Sequence, residues 1–151
     1  METTTIPENE SSFFRFEDLR IYDKSQEYCS WIMKQFPEPR TECQKVLVGS
    51  FCHSAYDMAL NIAEGSSRNR AQMEHYLKIA KTAIRECVVY SAVAHNDGML
   101  TDEQYDRSRE LLMELTRMVG ACIISLQRGT SRRSNDSVES EGGEESAWDK
   151  E

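Results

Sequence analysis

The chain has 151 residues and carries 18 basic and 26 acidic side chains, for a formal net charge of −8. This length fits one domain with a substantial core. Since Pro and Gly are scarce and strand signals are few, the composition predicts an all-α fold. No apolar run approaches the roughly 18 residues of a membrane span, and no charged-then-apolar leader opens the chain. We therefore expect a cytoplasmic protein with no membrane partner.

The acidic charge is placed unevenly. Residues 1–15 carry a net −2, residues 129–151 carry −4, and the body between them carries only −2. The sequence predicts a flexible N-terminal segment over 1–15, a helical domain over 16–128, and an acidic disordered tail over 129–151, where apolar residues nearly vanish. We interpret Trp148 in that tail as incidental rather than as a docking residue. The global acidity therefore says little about what the domain binds.

The first half of the domain contains two predicted helices. Helix 1 is expected from about Glu17 to Gln35, because apolar residues recur at alternating spacings of three and four, and the Phe36-Pro37 step ends it. Helix 2 is expected from about Thr41 to Glu64, with one apolar stripe. The stripe consists of Leu47, Phe51, Ala55, Met58 and Ile62.

Capping patterns mark the start of the other two helices. Helix 3 begins after Asn69, which has Gln72 three residues later, and continues to about Asn96. Helix 4 begins at Thr101, which is paired in the same way with Gln104, and is expected to end near Arg128. Four long helices with short connections predict an antiparallel up-down four-helix bundle with disordered N- and C-terminal tails.

Helices 3 and 4 carry more apolar residues than one core stripe requires. A helix in a monomeric bundle buries one stripe and exposes the rest, so additional apolar rows indicate a further contact surface. We therefore predict a homo-oligomer over a monomer with unusually wide buried faces. The extra rows are Ile79, Ala83, Tyr90 and Val93 on helix 3 and Leu111, Met118 and Ile124 on helix 4.

The run Asn61-Ile62-Ala63-Glu64-Gly65 is more specific than helix periodicity demands. Gly65 fits a helix end in the left-handed conformation. Glu64 places a carboxylate in the last turn, where it opposes the helix dipole, so Arg68, Arg70 or the amides of helix 3 are expected to compensate. Asn61 falls on the buried side of helix 2 and needs partners. We interpret Asn61, Glu64 and Gly65 as a structural motif that makes the corner between helices 2 and 3.

Basic residues follow this corner. Arg68 and Arg70 lie in the turn, and Lys78, Lys81 and Arg85 lie on one face of helix 3. Such a row can contact nucleic-acid phosphates. The alternative is a solvated helix face, because Glu74 and Glu86 are interleaved with these cations.

Catalytic and metal-binding patterns are missing from the sequence. None of the three histidines has the Glu three residues earlier that a di-iron bundle requires, and no CxxC, HExxH, Walker or glycine-rich nucleotide motif is present. A catalytic Cys-His dyad formed by Cys52 and His53 is not expected, because neighbouring residues of a helix point about 100° apart. We expect no enzyme activity, no cofactor, no metal and no small-molecule substrate. Five widely spaced cysteines are expected to stay reduced.

At the corner motif a resemblance to a known family is found. The run Asn61–Gly65, the polar turn Ser66–Asn69 and the following Tyr76-Leu77-Lys78-Ile79-Ala80 resemble the four helix bundle protein family. Its members include proteins encoded by intervening sequences in bacterial large-subunit ribosomal RNA genes, and the accessory variability determinants of diversity-generating retroelements. The likeness extends back to Phe16–Leu19 and Phe36-Pro37 and forward to Glu86, over roughly residues 16 to 126.

The resemblance implies a pentameric homo-oligomer, RNA or DNA binding and, in the retroelement branch, a reverse transcriptase partner. The chain departs from the family at Cys52-His53, where many relatives carry a basic pair, at Asp57–Leu60, and in its acidic pI of about 5.0. We predict a non-catalytic, oligomeric accessory or scaffold protein that engages nucleic acid or a ribonucleoprotein. The alternative is a protein-protein interaction module without nucleic-acid affinity.

Overall fold

The computed structural model describes residues 13–141, except for the side chains of residues 130 and 133–141. Within that range the chain is helical, without strands, which confirms the all-α prediction. The elements are a 3₁₀ turn at Arg15–Asp18, α1 at Arg20–Met33, α2 at Glu42–Ser66, α3 at Arg70–Asn96 and α4 at Asp102–Glu141.

The four α-helices form a closed ring of neighbours, α1 on α2, α2 on α3, α3 on α4 and α4 on α1. Cross-helix contacts give their directions. Along α3 and α4, Glu74 bonds Gln127 at 2.9 Å whereas Ser91 bonds Ser108 at 2.6 Å, so these two helices are antiparallel. Along α1 and α4, Tyr28 bonds Ser108 at 2.9 Å whereas the earlier Lys24 lies 3.6 Å from the later Glu114, so α1 also runs against α4. The predicted up-down bundle is confirmed.

The core runs along the axis of the bundle. Each helix contributes buried apolar side chains, which removes one face from water. The largest of these are Tyr28, Ile32, Phe51, Met58, Ile62, Leu77, Ile84, Leu112, Leu115 and Val119.

In α1 the buried face is Ile21, Tyr28 and Ile32 rather than the predicted row, because the predicted row starts at Leu19, which lies outside the helix. That row is Leu19, Tyr22, Gln26, Cys29, Met33 and Phe36, of which Gln26 and Met33 are exposed.

The predicted helix starts are formed by side-chain caps. Thr41 Oγ1 accepts from the Gln44 amide at 3.1 Å, and Asn69 Oδ1 accepts from the Gln72 amide at 3.0 Å. At α4 the box is reciprocal, because the Gln104 amide donates to Thr101 Oγ1 at 3.1 Å and the Thr101 amide donates to Gln104 Oε1 at 2.9 Å.

The corner between α3 and α4 is fixed by a glycine cap. Gly98 has a positive φ of 76°. The Met99 amide donates to Ala94 O at 2.9 Å and the Gly98 amide to His95 O at 3.1 Å, the bonding pattern of a Schellman motif. Met99 and Leu100 then bury against Ala94. This turn holds the antiparallel register of the two helices that carry most of the chain's cations.

Two predicted helix boundaries are wrong, the start of α1 and the C-terminal end of α4. Residues 15–18 form a separate 3₁₀ turn, and Leu19 is extended with φ −84° and ψ 123°, so α1 begins at Arg20 rather than at Glu17. The packing of Phe16 on Tyr22, with ring centroids 4.9 Å apart, turns the chain back before α1. At the other end α4 continues past Arg128 to Glu141, since one glycine without a following Pro does not stop it. Residues 142–151 and 1–12 of the predicted tails lie outside the described residues.

The additional apolar rows are only partly available for a partner. Ala83 and Leu111 are buried inside the monomer, and Tyr90 and Met118 pack against its core. Ile79, Val93 and Ile124 are 37%, 45% and 50% exposed. About half of the residues that predicted an oligomer are therefore explained by wide buried faces within one chain.

Candidate nucleic-acid interface

The corner between α2 and α3 is built by close approach of the two helices at Gly65. Gly65 is buried in the last turn of α2 and its φ is not positive, so the predicted left-handed cap is wrong. A Cβ at this position would lie 2.9 Å from Tyr76 Cβ. The residue is required because only a hydrogen on Cα leaves room for α3.

Glu64 is compensated by Arg68, as predicted. Arg68 donates to Glu64 Oε1 from Nε at 3.0 Å and from Nη2 at 2.5 Å, and its guanidinium lies 5.9 Å from the Tyr76 ring centroid. The hydrogen bond to Glu64, followed by its charge, raises the pKa of Arg68. This pair closes the turn and engages the Arg68 guanidinium, so Arg68 is not one of the unpaired cations.

Asn61 is half-buried and serves its own helix. Its Nδ2 donates to Asp57 O one turn earlier at 2.8 Å, so the partner that we expected for it is local. His53 and Asp57 form a pair at 3.6 Å on the outer face of α2. The motif residues therefore position the corner and do not line an open site.

The five predicted cations differ in what holds them. Gln127 donates to Glu74 at 2.9 Å and Lys78 pairs with the same carboxyl at 3.0 Å, and these two contacts, Gln127 foremost, lower the pKa of Glu74. Glu86, the other acid of the row, instead accepts from Ser54 at 2.7 Å. In the part of the chain with described side chains, Arg70, Lys81 and Arg85 have no carboxylate partner.

These three cations share one face of α3. Lys81 and Arg85 follow Arg70 by 11 and 15 residues, which are close to whole numbers of 3.6-residue turns. The row therefore spans about 22 Å along the helix axis at 1.5 Å per residue. Of the five predicted cations, the structure leaves this subset available to an anionic partner.

Two arginines of α4 extend this row, and sequence reasoning missed both. Arg128 and Arg132 line an open groove of about 1080 Å³ together with Arg70. The Arg70 guanidinium lies against Gly129, where any larger residue would displace it. The spacing of Arg128 and Arg132 by four residues was visible in the sequence. Because the sequence predicts that helix 4 ends near Arg128, this pair falls outside the predicted row, whereas α4 continues to Glu141.

Charge is segregated along the bundle axis. The half that contains the α2–α3 corner comprises residues 13–26, 54–85 and 115–132, and it carries eleven basic and six acidic residues. The opposite half, residues 27–53 and 86–114, carries five basic and ten acidic residues. We call them the basic half, at +5, and the acidic half, at −5. The net charge of −8 is contributed entirely by residues 1–12 and 133–151.

Comparison with protein-family models gives a match to the 23S rRNA-intervening sequence protein over residues 17–121. The chain belongs to this family. The confirmed resemblance includes the corner motif and all five predicted cations, whereas Arg128 and Arg132 lie beyond the matched region. Comparison with curated proteins gives no match.

In this member of the 23S rRNA-intervening sequence family, the described residues contain no cluster of three His, Cys, Asp or Glu side chains able to hold a metal ion. Burial raises the pKa of the Cys29 thiol to about 11 and also raises the pKa of Cys52, Cys87 and Cys122. Neutral thiols are weak nucleophiles. No described helix is long and apolar enough to cross a bilayer.

Proposed function

We propose that this protein is a non-catalytic, homo-oligomeric scaffold whose basic half contacts the phosphates of RNA or DNA. The observation that carries the proposal is the charge segregation, +5 in one half of the bundle and −5 in the other. An overall acidic protein can attract a polyanion when one surface concentrates its cations. The acidic half then orients the molecule, because it repels the same polyanion.

Oligomerisation would strengthen this contact. A few unpaired cations per chain give only a weak, salt-sensitive attraction, and repeating them around a ring converts this into avidity. Exposed apolar side chains on α2 and α3 provide surface for such contacts, notably Val46, Leu60, Val89 and Val93, which are 45% to 66% exposed. A pentamer, as the family resemblance implies, is part of the proposal, and so are a cytoplasmic location and a reverse transcriptase as protein partner.

The second candidate is a protein-interaction module without nucleic-acid affinity. The same exposed apolar side chains favour it, since they could bind another protein instead of a second copy. Two of the five predicted cations are also engaged in local pairs with acids four residues earlier, Arg68 with Glu64 and Lys78 with Glu74. The two functions differ in their response to salt and to loss of the unpaired cations.

The test combines light scattering with titration of a fluorescent structured RNA at about 50 and 200 mM salt. One triple variant, Arg70→Gln, Lys81→Gln and Arg85→Gln, removes the unpaired row. A matched variant, Lys34→Gln, Lys45→Gln and Arg107→Gln, removes the same charge from the acidic half. We expect an oligomer that binds RNA, about tenfold or more weakened by the first variant only, with a salt slope reduced by roughly one per lost phosphate contact. Equal weakening by both variants, or no binding at low salt, would contradict the proposal.

A further inference from the structure

The outer face of α4 lies opposite the side that this helix buries in the bundle. The buried side includes Leu112, Leu115 and Val119, and between residues 106 and 132 exposed side chains recur on the other side at spacings of three or four. In chain order the outer face includes two acids, two apolar residues and two arginines, namely Asp106, Glu110, Met113, Ile124, Arg128 and Arg132. The two apolar residues are 49% and 50% exposed. Because one stripe of α4 already packs in the core, this exposed pair indicates a further contact surface.

The charge of α4 changes sign halfway along the helix. Residues 102–114 carry five acids and two arginines, a net charge of −3, whereas residues 115–132 carry three arginines and no acid, a net charge of +3. The positive end contains the open groove of about 1080 Å³, which Ala121 and Ile124 line together with Arg70, Arg128 and Arg132. Among the residues with described side chains, none of these three arginines has a carboxylate partner.

The acidic end of the same face is also open to a partner. Asp106 and Glu110 are both exposed. Glu110 pairs with Arg107 of its own helix at 3.3 Å, and exposed pairs of this kind stabilise a fold little and can be exchanged. One copy of the chain therefore presents, on one helix face, both an anionic and a cationic contact surface.

The two ends of the face are related by a single midpoint. Glu110 and Arg128 each lie nine residues from Val119, and Asp106 and Arg132 each lie thirteen residues from it. The exposed apolar pair of the face lies six residues before and five residues after the same point. If two α4 helices cross antiparallel at this level, each acid of one copy is level with an arginine of the other. A patch that is complementary to itself is what a twofold interface requires.

We propose that the outer face of α4 binds the same face of a second copy of the chain, antiparallel and about a twofold axis at the level of Val119. The acidic end of each α4 then occupies the arginine groove of the other copy, and the charge pattern sets the register. Gly120 permits close approach at the axis, because nothing lies within 4 Å of a Cβ added there. Arg117 is level with Ala121 of the second copy, whose short side chain leaves room for it.

This contact goes beyond the proposed function and does not depend on it. It uses another helix than the exposed apolar side chains of α2 and α3, so it joins copies in pairs in addition to any ring that those side chains form. The assembly therefore has an even number of chains. Nucleic acid and the second copy compete for Arg70, whereas Lys81 and Arg85 do not line the groove and stay available to nucleic acid.

The test is the mass of the full chain and of two charge-reversal variants, measured by light scattering at about 50 mM salt. Arg128→Glu with Arg132→Glu makes both ends of the face acidic, and Asp106→Arg with Glu110→Arg makes both ends basic. We expect the natural chain at an even multiple of 17.4 kDa and each variant alone at half of the natural mass. An equimolar mixture of the two variants should regain the natural mass, because an acidic face then meets a basic one.

A matched control, Lys81→Glu with Arg85→Glu, makes the same change of net charge on α3 and should keep the natural mass. An odd number of chains, a reversed variant that keeps the natural mass, or a mixture that stays at half of it would overturn the inference. RNA titration of the natural chain separates the two proposals. A chain that binds RNA but fails these mass tests leaves the proposed function standing, and a chain that pairs but ignores RNA overturns that function alone.

Discussion

Gly65 illustrates what a sequence can reveal about a single residue. Its position in the Asn61–Gly65 run predicts a structural role at the corner. The pairing of Glu64 with Arg68, expected from the same run, is present at 2.5 Å. The reason for the glycine could not be inferred in the same way. It depends on the distance between α2 and α3 at Tyr76, and no local pattern in one helix encodes the approach of another.

We predict that Gly65→Ala destabilises the bundle by about 1–3 kcal/mol, because the new methyl would lie 2.9 Å from Tyr76 Cβ, an atom next to the backbone that cannot move independently. The matched control is Gly49→Ala in the same helix, where nothing lies within 4 Å of the added Cβ. It should be neutral or stabilising by up to about 1 kcal/mol through helix propensity. Urea unfolding of both variants measures the difference, and equal midpoints would contradict the close-approach explanation.

At the scale of elements, the sequence predicted helix starts better than helix ends. The starts of α2, α3 and α4 depend on local bonds between residues three apart, such as Thr101 with Gln104, and local rules recover them. The extent of α1 depends on the packing of Phe16 on Tyr22, and that of α4 on whether Gly129 interrupts the helix. Because the sequence predicts that α4 ends near Arg128, Arg128 and Arg132 are missing from the predicted site.

The elements are also joined by a buried polar network that the sequence did not reveal. Ser108 of α4 bonds Tyr28 of α1 at 2.9 Å and Ser91 of α3 at 2.6 Å, and all three side chains are fully buried. Serines on apolar stripes look like small core residues, so their mutual contact becomes visible only when three helices are brought together. The network ties the register of α1, α3 and α4.

We predict that Ser108→Ala costs more stability than Tyr28→Phe, although it removes the same number of atoms. Without Ser108 the buried hydroxyls of Tyr28 and Ser91 both lose the atom that bonds them, at about 1–3 kcal/mol, whereas Tyr28→Phe leaves Ser108 and Ser91 bonded to each other, at about 0.5–1.5 kcal/mol. Ser30→Ala, an exposed position in α1, controls for helix propensity. Denaturant midpoints measure the order, and a larger cost for Tyr28→Phe would contradict the central role of Ser108.

At the scale of the whole molecule, the net charge and the charge distribution give opposite expectations. The formal charge of −8 argued against nucleic acid, yet residues 13–132 are neutral overall and divided into halves of +5 and −5. The sequence contained every one of these charges. It could not place them, because assigning residues such as Glu103 and Arg128 of one helix to opposite halves requires the register of α4 against α1 and α3.

The central claim is that nucleic acid meets one half of the bundle and avoids the other. Lysine acetylation rates, measured by mass spectrometry with and without RNA, test it directly because the chain has lysines in both halves. We predict that RNA slows acetylation of the unpaired Lys81 on α3 several-fold and leaves Lys34 and Lys45, in the acidic half, unchanged. Equal protection of all three, or protection of Lys34 and Lys45 alone, would contradict the account.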